Sequence, residues 1–269
     1  MVRGALVKVL HLNRYYVKKL ILLALLPIIS FANTIDDKCP QFISSGAPVS
    51  SLSSTVYMCK KNYAINYRID TKTAEYVVEH PTKLSIKGLA KRNDDFHVDE
   101  SLPKKYQSTI NDYNASGYDR GHLAPAGDNT ISSEVMSESF ALSNMVPQNP
   151  SNNRVIWNHL ETKVRDLVLS NRDIYVSSGT YYKPTYKTIG LNKVGVPDFL
   201  WKVIYDKSSN KVIAFLIPNT ALNVKDLPKF IISVSDLEHL TNINFFPLMP
   251  NSNIIESVPG SLKDWAVFN

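Results

Sequence analysis

The sequence predicts an α+β domain built on a largely antiparallel sheet flanked by helices. Runs rich in β-branched and aromatic residues recur at 63–69, 75–78, 119–123, 174–178, 200–205 and 212–217, many of them alternating. Helical periodicity is confined to 153–169, where Ile156, Leu160, Val164, Leu167 and Val168 recur, and to 235–240. Strands and helices are therefore interleaved irregularly rather than as repeated βαβ units, which favours antiparallel pairing over a parallel sheet.

Taken in chain order, residues 20–29 form a ten-residue apolar run preceded by Lys18 and Lys19 and followed by Ser30-Phe31-Ala32. This reads as a secretory signal cleaved after Ala32, with a periplasmic or secreted product that has no stable membrane association. An uncleaved anchor is the alternative, but the run falls short of the roughly 20 apolar residues that span a bilayer. The nineteen residues ahead of the run are long for such a signal, and Val17 is an alternative start.

Removing residues 1–32 changes the reading of charge. The full chain carries 30 basic and 24 acidic residues, formally +6, but Arg3, Lys8, Arg14, Lys18 and Lys19 lie in the leader, leaving 25 against 24, or +1. A polyanion must then be held by a local patch, for which Lys91, Arg92, Arg120 and Arg154 are candidates.

The two cysteines, Cys39 and Cys59, follow the expected cleavage point. An even count in an oxidising compartment predicts a disulfide contributing about 3 kcal/mol, chiefly by constraining the unfolded chain. It would tether 33–54 to a domain over 55–269 and pin down the polar stretch 44–55, which otherwise reads as a loose loop. No C-x-x-C or Cys/His cluster with zinc spacing occurs. The 237 residues left after removing 32 of 269 suit one domain, and no internal repeat is present.

The chemistry concentrates in 119–128, Asp-Arg-Gly-His-Leu-Ala-Pro-Ala-Gly-Asp. Alternate residues on a strand share a face, so Arg120 and His122 project together, a cation and a base at one phosphate, while Gly121 leaves the other face bare. His122 is the candidate general base, since a neutral imidazole accepts a proton at physiological pH. A carbonyl or similar acceptor at its second nitrogen is expected to fix the tautomer.

Downstream, Asn153, Trp157 and Glu161 recur every four residues on the predicted helix. In an α-helix they step about 40° each and span about 12 Å, and side chains lean toward the N-terminus, so Glu161 reaches back toward Asn153. Asn153 is the candidate direct ligand of Mg²⁺, with Mn²⁺ as the alternative ion. Glu161 orients its water shell, and Trp157 is assigned to core packing. Magnesium keeps several waters, so one protein oxygen suffices. His11, His80, His97 and His159 read as structural.

These residues resemble the DNA/RNA non-specific endonuclease family, the sugar-non-specific ββα-metal nucleases. Asp119-Arg-Gly-His122, Asp128, Ser143-Asn144 through Pro147-Gln148, and Asn153 with Trp157, Leu160 and Glu161 stand in family order. Arg92, Phe96, Asp99 and Ser116-Gly117-Tyr118 fit the lead-in, and Val196 through Lys202 fits a later strand; the likeness covers roughly 55–265. It implies a central sheet carrying a ββα-metal site, DNA and RNA as substrates, and 5′-phosphate and 3′-hydroxyl products. It also brings in Arg92 beside Arg120 as a phosphate-neutralising group, Asn144 and Gln148 as site-lining residues, and Asp119 as a support. A homodimer is left open. The alternative function is a catalytically inactive exported nucleic-acid-binding protein of the same fold. A different hydrolase is disfavoured because neither G-x-S-x-G nor H-E-x-x-H occurs.

Overall fold

The computed structural model describes Ile35–Phe268, so the leader read at 1–32 lies outside the described residues. Its principal strands are β1 (Thr55–Cys59), β2 (Ala64–Arg68), β3 (Thr73–Glu79), β4 (Asp119–His122), β5 (Met145–Gln148), β6 (Ile174–Tyr181), β7 (Phe199–Asp206), β8 (Lys211–Pro218) and β9 (Ile231–Ile232). Seven form one sheet in the order β9-β8-β7-β6-β3-β2-β1, antiparallel at every pairing. β4 and β5 form a separate antiparallel ribbon. The α+β class and antiparallel sheet expected from the sequence are both present.

Alternation along β7 shows how the sheet sorts its side chains. Leu200 and Ile204 join one apolar cluster, while Trp201, Val203 and Tyr205 join another on the opposite face. β3 divides in the same way, with Val77 on the first side and Tyr76 and Val78 on the second. Both faces are covered, which is why the central strands are apolar along most of their length. The same alternation places Lys202 on the face of Leu200 and Ile204, where it is fully buried.

Helix α1 (Ser133–Ser139) is opened by Ser132, whose hydroxyl accepts from the Val135 amide at 3.2 Å. α2 (Asn158–Leu169) buries Leu160, Val164, Leu167 and Val168 against the Val77 and Leu200 side of the sheet. Each such side chain contributes about 1.5–3 kcal/mol of hydrophobic stabilisation. α3 (Val234–Thr241) covers the other face and ends at Asn242, in the left-handed region with φ 55°.

Three local features depart from the sequence reading. The helix expected over 153–169 is not α-helical throughout: Asn152–Trp157 is a π-helical turn, in which the Asn158 amide donates to the Asn153 carbonyl. The segment read as a loose loop is anchored, because Val49–Ser50 pairs antiparallel with Ile243–Asn244 and Cys39 is bridged to Cys59, with Cα atoms 6.1 Å apart. Finally, β5 contains Pro147, which a two-stranded ribbon tolerates because it has an unpaired edge. Among the described residues no helix is long and apolar enough to cross a membrane.

Candidate active site

The β4–β5 ribbon is the platform of the site. Its register sets Asp119 opposite Gln148, Arg120 opposite Pro147 and Gly121 opposite Val146. Gly121 is required because the Gln148 side chain lies across it: a Cβ there would meet Gln148 Oε1 at 1.9 Å. Gln148 Nε2 in turn donates to Asn152 Oδ1 at 2.8 Å. Behind the ribbon, Asn144 accepts from the Ala124 amide and donates to the Ala124 and Ser139 carbonyls, all at 2.8–2.9 Å. Both side chains are fully buried. The expectation that Asn144 and Gln148 line the site is therefore not met; they hold the ribbon and the helix entry in place from behind.

The other expected residues converge. A cavity of ≈ 390 Å³ is lined by Arg92, Arg120, His122, Asn153 and Glu161, together with Arg154 and Arg165. Arg92 stacks over Phe140 at 5.0 Å and pairs with Asp94 at 2.7 Å, and Arg120 stacks over Phe96 at 4.3 Å. These contacts fix the guanidinium planes while leaving hydrogen-bond donors for an anion.

His122 is boxed by aromatic rings, with Phe140 edge-on at 4.9 Å and Phe96 tilted at 5.9 Å, and is 9% exposed. Burial, reinforced by the Arg92 charge, lowers its pKa to about 3. The imidazole is thus neutral at physiological pH, as a base must be. The acceptor expected at its second ring nitrogen is absent: Nε2 is buried without a partner among the described residues. What positions the residue is its backbone, whose carbonyl accepts from Trp157 Nε1 at 3.3 Å. Trp157 is fully buried, in line with a core-packing role, and also braces His122.

Asp119 fixes the carboxamide. It accepts from Asn153 Nδ2 at 3.0 Å and from Arg154 Nε and Nη2 at 2.8 and 2.7 Å. Burial alone would raise its pKa, but these hydrogen bonds outweigh it and hold the carboxyl below its ordinary value. An ionised carboxylate only accepts, so the amide nitrogen of Asn153 must face it, leaving Oδ1 at the cavity wall without a partner among the described residues. That hard oxygen lines the same cavity as Glu161, a half-buried residue, and suits a hydrated divalent cation. No group of three or more His, Cys, Asp or Glu that could cage a metal occurs among the described residues.

Beneath Glu161 lies a buried charge cluster that sequence reading missed. Lys202 sits 4.7 Å from the Trp157 ring and donates to Ser178 Oγ. Asp128 accepts from Arg165 Nη1 at 3.1 Å, and neither Glu79 oxygen has a partner among the described residues. Burial raises the Glu161 pKa to about 7, against the pull of Lys202 and Arg165 and with a push from Asp128. Burial likewise raises Glu79 and Asp128, and lowers Lys202 although Glu79, Glu161 and Asp128 oppose it. Arg165 was discoverable, since it continues the four-residue stripe of Asn153, Trp157 and Glu161.

Residues 41–252 match the model of a family described as DNA/RNA non-specific endonuclease. The chain belongs to that family. Among its relatives, the mitochondrial nuclease EXOG of Xenopus laevis is 37% identical over 219 residues, 75% of this chain and 60% of that protein. A nuclease of Nostoc sp. is 34% identical over 235 residues, 81% of this chain and 82% of the relative. A chain from a solved EndoG/EndoGI complex superposes with a TM-score of 0.70 at 27% identity, covering 81% of this chain and 94% of the other. This chain spans 60 to 65% of the length of the EXOG relatives from four vertebrates.

Proposed function

We propose that this protein hydrolyses phosphodiester bonds within DNA and RNA strands, with little base preference and a divalent metal requirement. The observation that carries this reading is one cavity holding a neutral buried histidine, a free carboxamide oxygen and paired arginines. Nothing in that set recognises a base; each member addresses a phosphate or the water that attacks it.

Arg120 and Arg92 bind and neutralise the non-bridging oxygens through charge-assisted hydrogen bonds. His122 accepts a proton from the attacking water, whose oxygen bonds to phosphorus as the P–O3′ bond breaks. The strand then separates into 5′-phosphate and 3′-hydroxyl ends, the departing oxygen being protonated from solvent. Asn153, oriented by Asp119, is the residue to hold Mg²⁺ or Mn²⁺ directly, and Glu161 the residue to hold its waters. When bound, the ion supplies Lewis acidity to the phosphoryl group and leaving oxygen. Activity in a gel containing nucleic acid tests the proposal. Clearing with Mg²⁺ that chelator abolishes is expected, whereas retention of nucleic acid without cleavage would identify an inactive binding protein.

We also propose that the protein is exported, with 1–32 as a removed leader, and acts in the periplasm or outside the cell. The Cys39–Cys59 bridge supports this, because disulfides persist in oxidising compartments. Intact-mass analysis of exported protein should give a chain beginning at Asn33 and two hydrogens lighter than its reduced form. Full-length protein in the membrane fraction would point to an anchor instead.

A further inference from the structure

The cleft does not end at the base and the carboxamide. Past Arg92, Arg120, Asn153 and Arg154 it opens into a second compartment of ≈ 550 Å³. The acids that line it, Asp94 and Asp119, are each paired with an arginine, Arg92 and Arg154 respectively. The compartment therefore presents little net negative charge to an incoming strand.

Its aromatic residues are Phe96, Tyr113 and Tyr118. The Phe96 ring is taken by Arg120 at 4.3 Å and by the edge contact with Phe140 at 4.9 Å. Tyr113 is 4% exposed and packs with Leu142, Met145 and Val194. Tyr118 differs from both. One side packs on that same cluster, the residue is half-buried, and among the described residues its side chain has no ring, cation or hydrogen-bond partner.

We infer that the second compartment is a nucleoside subsite, in which Tyr118 is the stacking platform for an unpaired base next to the scissile phosphate. The inference rests on the phosphodiesterase reading. A phosphate held by the arginines at the junction places its adjoining nucleoside on one side or the other of the cleft, and the volume of the second compartment is within the range of small-molecule sites. An aromatic face accepts any base, so the subsite adds affinity without sequence preference. A base shows its face only when it leaves the duplex stack, so single strands and frayed ends are the substrate class this subsite favours.

The test uses single-stranded oligonucleotides of one sequence, either intact or carrying one tetrahydrofuran abasic residue at a fixed position, with every cut mapped. In wild type, the bond on one side of the abasic residue should be cut about 5- to 150-fold more slowly than in the intact strand, the usual worth of one stacked base. Tyr118→Ala should cut that bond in the intact strand at the slower rate, erasing the difference, while Tyr118→Phe, which keeps the ring, should preserve it. Undiminished discrimination in Tyr118→Ala, or none in wild type, would overturn the subsite alone. Failure of wild type to cut any strand would instead overturn the phosphodiesterase reading.

Discussion

Replacing His122 with alanine is expected to slow the chemical step about 10² to 10⁴-fold, the usual worth of a positioned general base, with substrate binding little changed. The side chain lies within an aromatic box, so its removal empties a small space without uncovering a charge. Single-turnover kinetics isolate the step; a mutant retaining more than about a tenth of the wild-type rate would exclude His122 from the base role. The pH dependence sharpens the test. The neutral imidazole is the active form, and burial and Arg92 place its pKa at about 3, so its protonation cannot produce an acid limb near neutrality in the free enzyme. Bound phosphate opposes the Arg92 charge, so the limb seen in kcat should lie at higher pH than that in kcat/KM.

Asn153→Ala is expected to lower metal-dependent turnover by about 10³-fold or more, because the ion supplies several kcal/mol of transition-state stabilisation and Asn153 supplies its candidate direct ligand. Glu161→Ala should cost about 10 to 100-fold, the usual effect of losing a group that holds the shell around a metal, and added Mg²⁺ should recover much of it. Equal losses that no metal concentration recovers would place Glu161 on the ion itself. Glu161 also carries a pH signature. Its pKa is raised to about 7 and its ionised form is the one that holds water on a cation, so activity at low Mg²⁺ should fall as pH drops through that region. Rising Mg²⁺ competes with the proton and should move the limb to lower pH.

Much of the site was legible because its chemistry is written in short-range patterns. Period-two alternation places Arg120 and His122 together, and the cavity they share with Asn153 and Glu161 is present. The parts that were not legible have specific causes. A four-residue stripe was read with α-helical geometry, but the entry is a π-helical turn, and such turns are rare enough that a period argument ignores them. Family order could place Asn144 and Gln148 near the ribbon, yet order does not distinguish a residue that touches substrate from one buried behind it. Lys202 lay in view on a recognised strand, but its partners Ser178 and Trp157 come from distant segments, so burial of its charge could not be inferred locally. β5 escaped because Pro147 reads as a strand breaker unless the ribbon is known to have an open edge.

The most direct measurement is cleavage of single- and double-stranded DNA and RNA of mixed sequence by the purified 33–269 chain in defined Mg²⁺, with cut positions and end groups mapped. Cuts are expected in DNA and RNA alike, spread over many sequences, with 5′-phosphate and 3′-hydroxyl ends. Cutting confined to one sugar, or clustered at one sequence, would contradict a site that holds the backbone phosphate and reads neither the sugar nor the identity of the base.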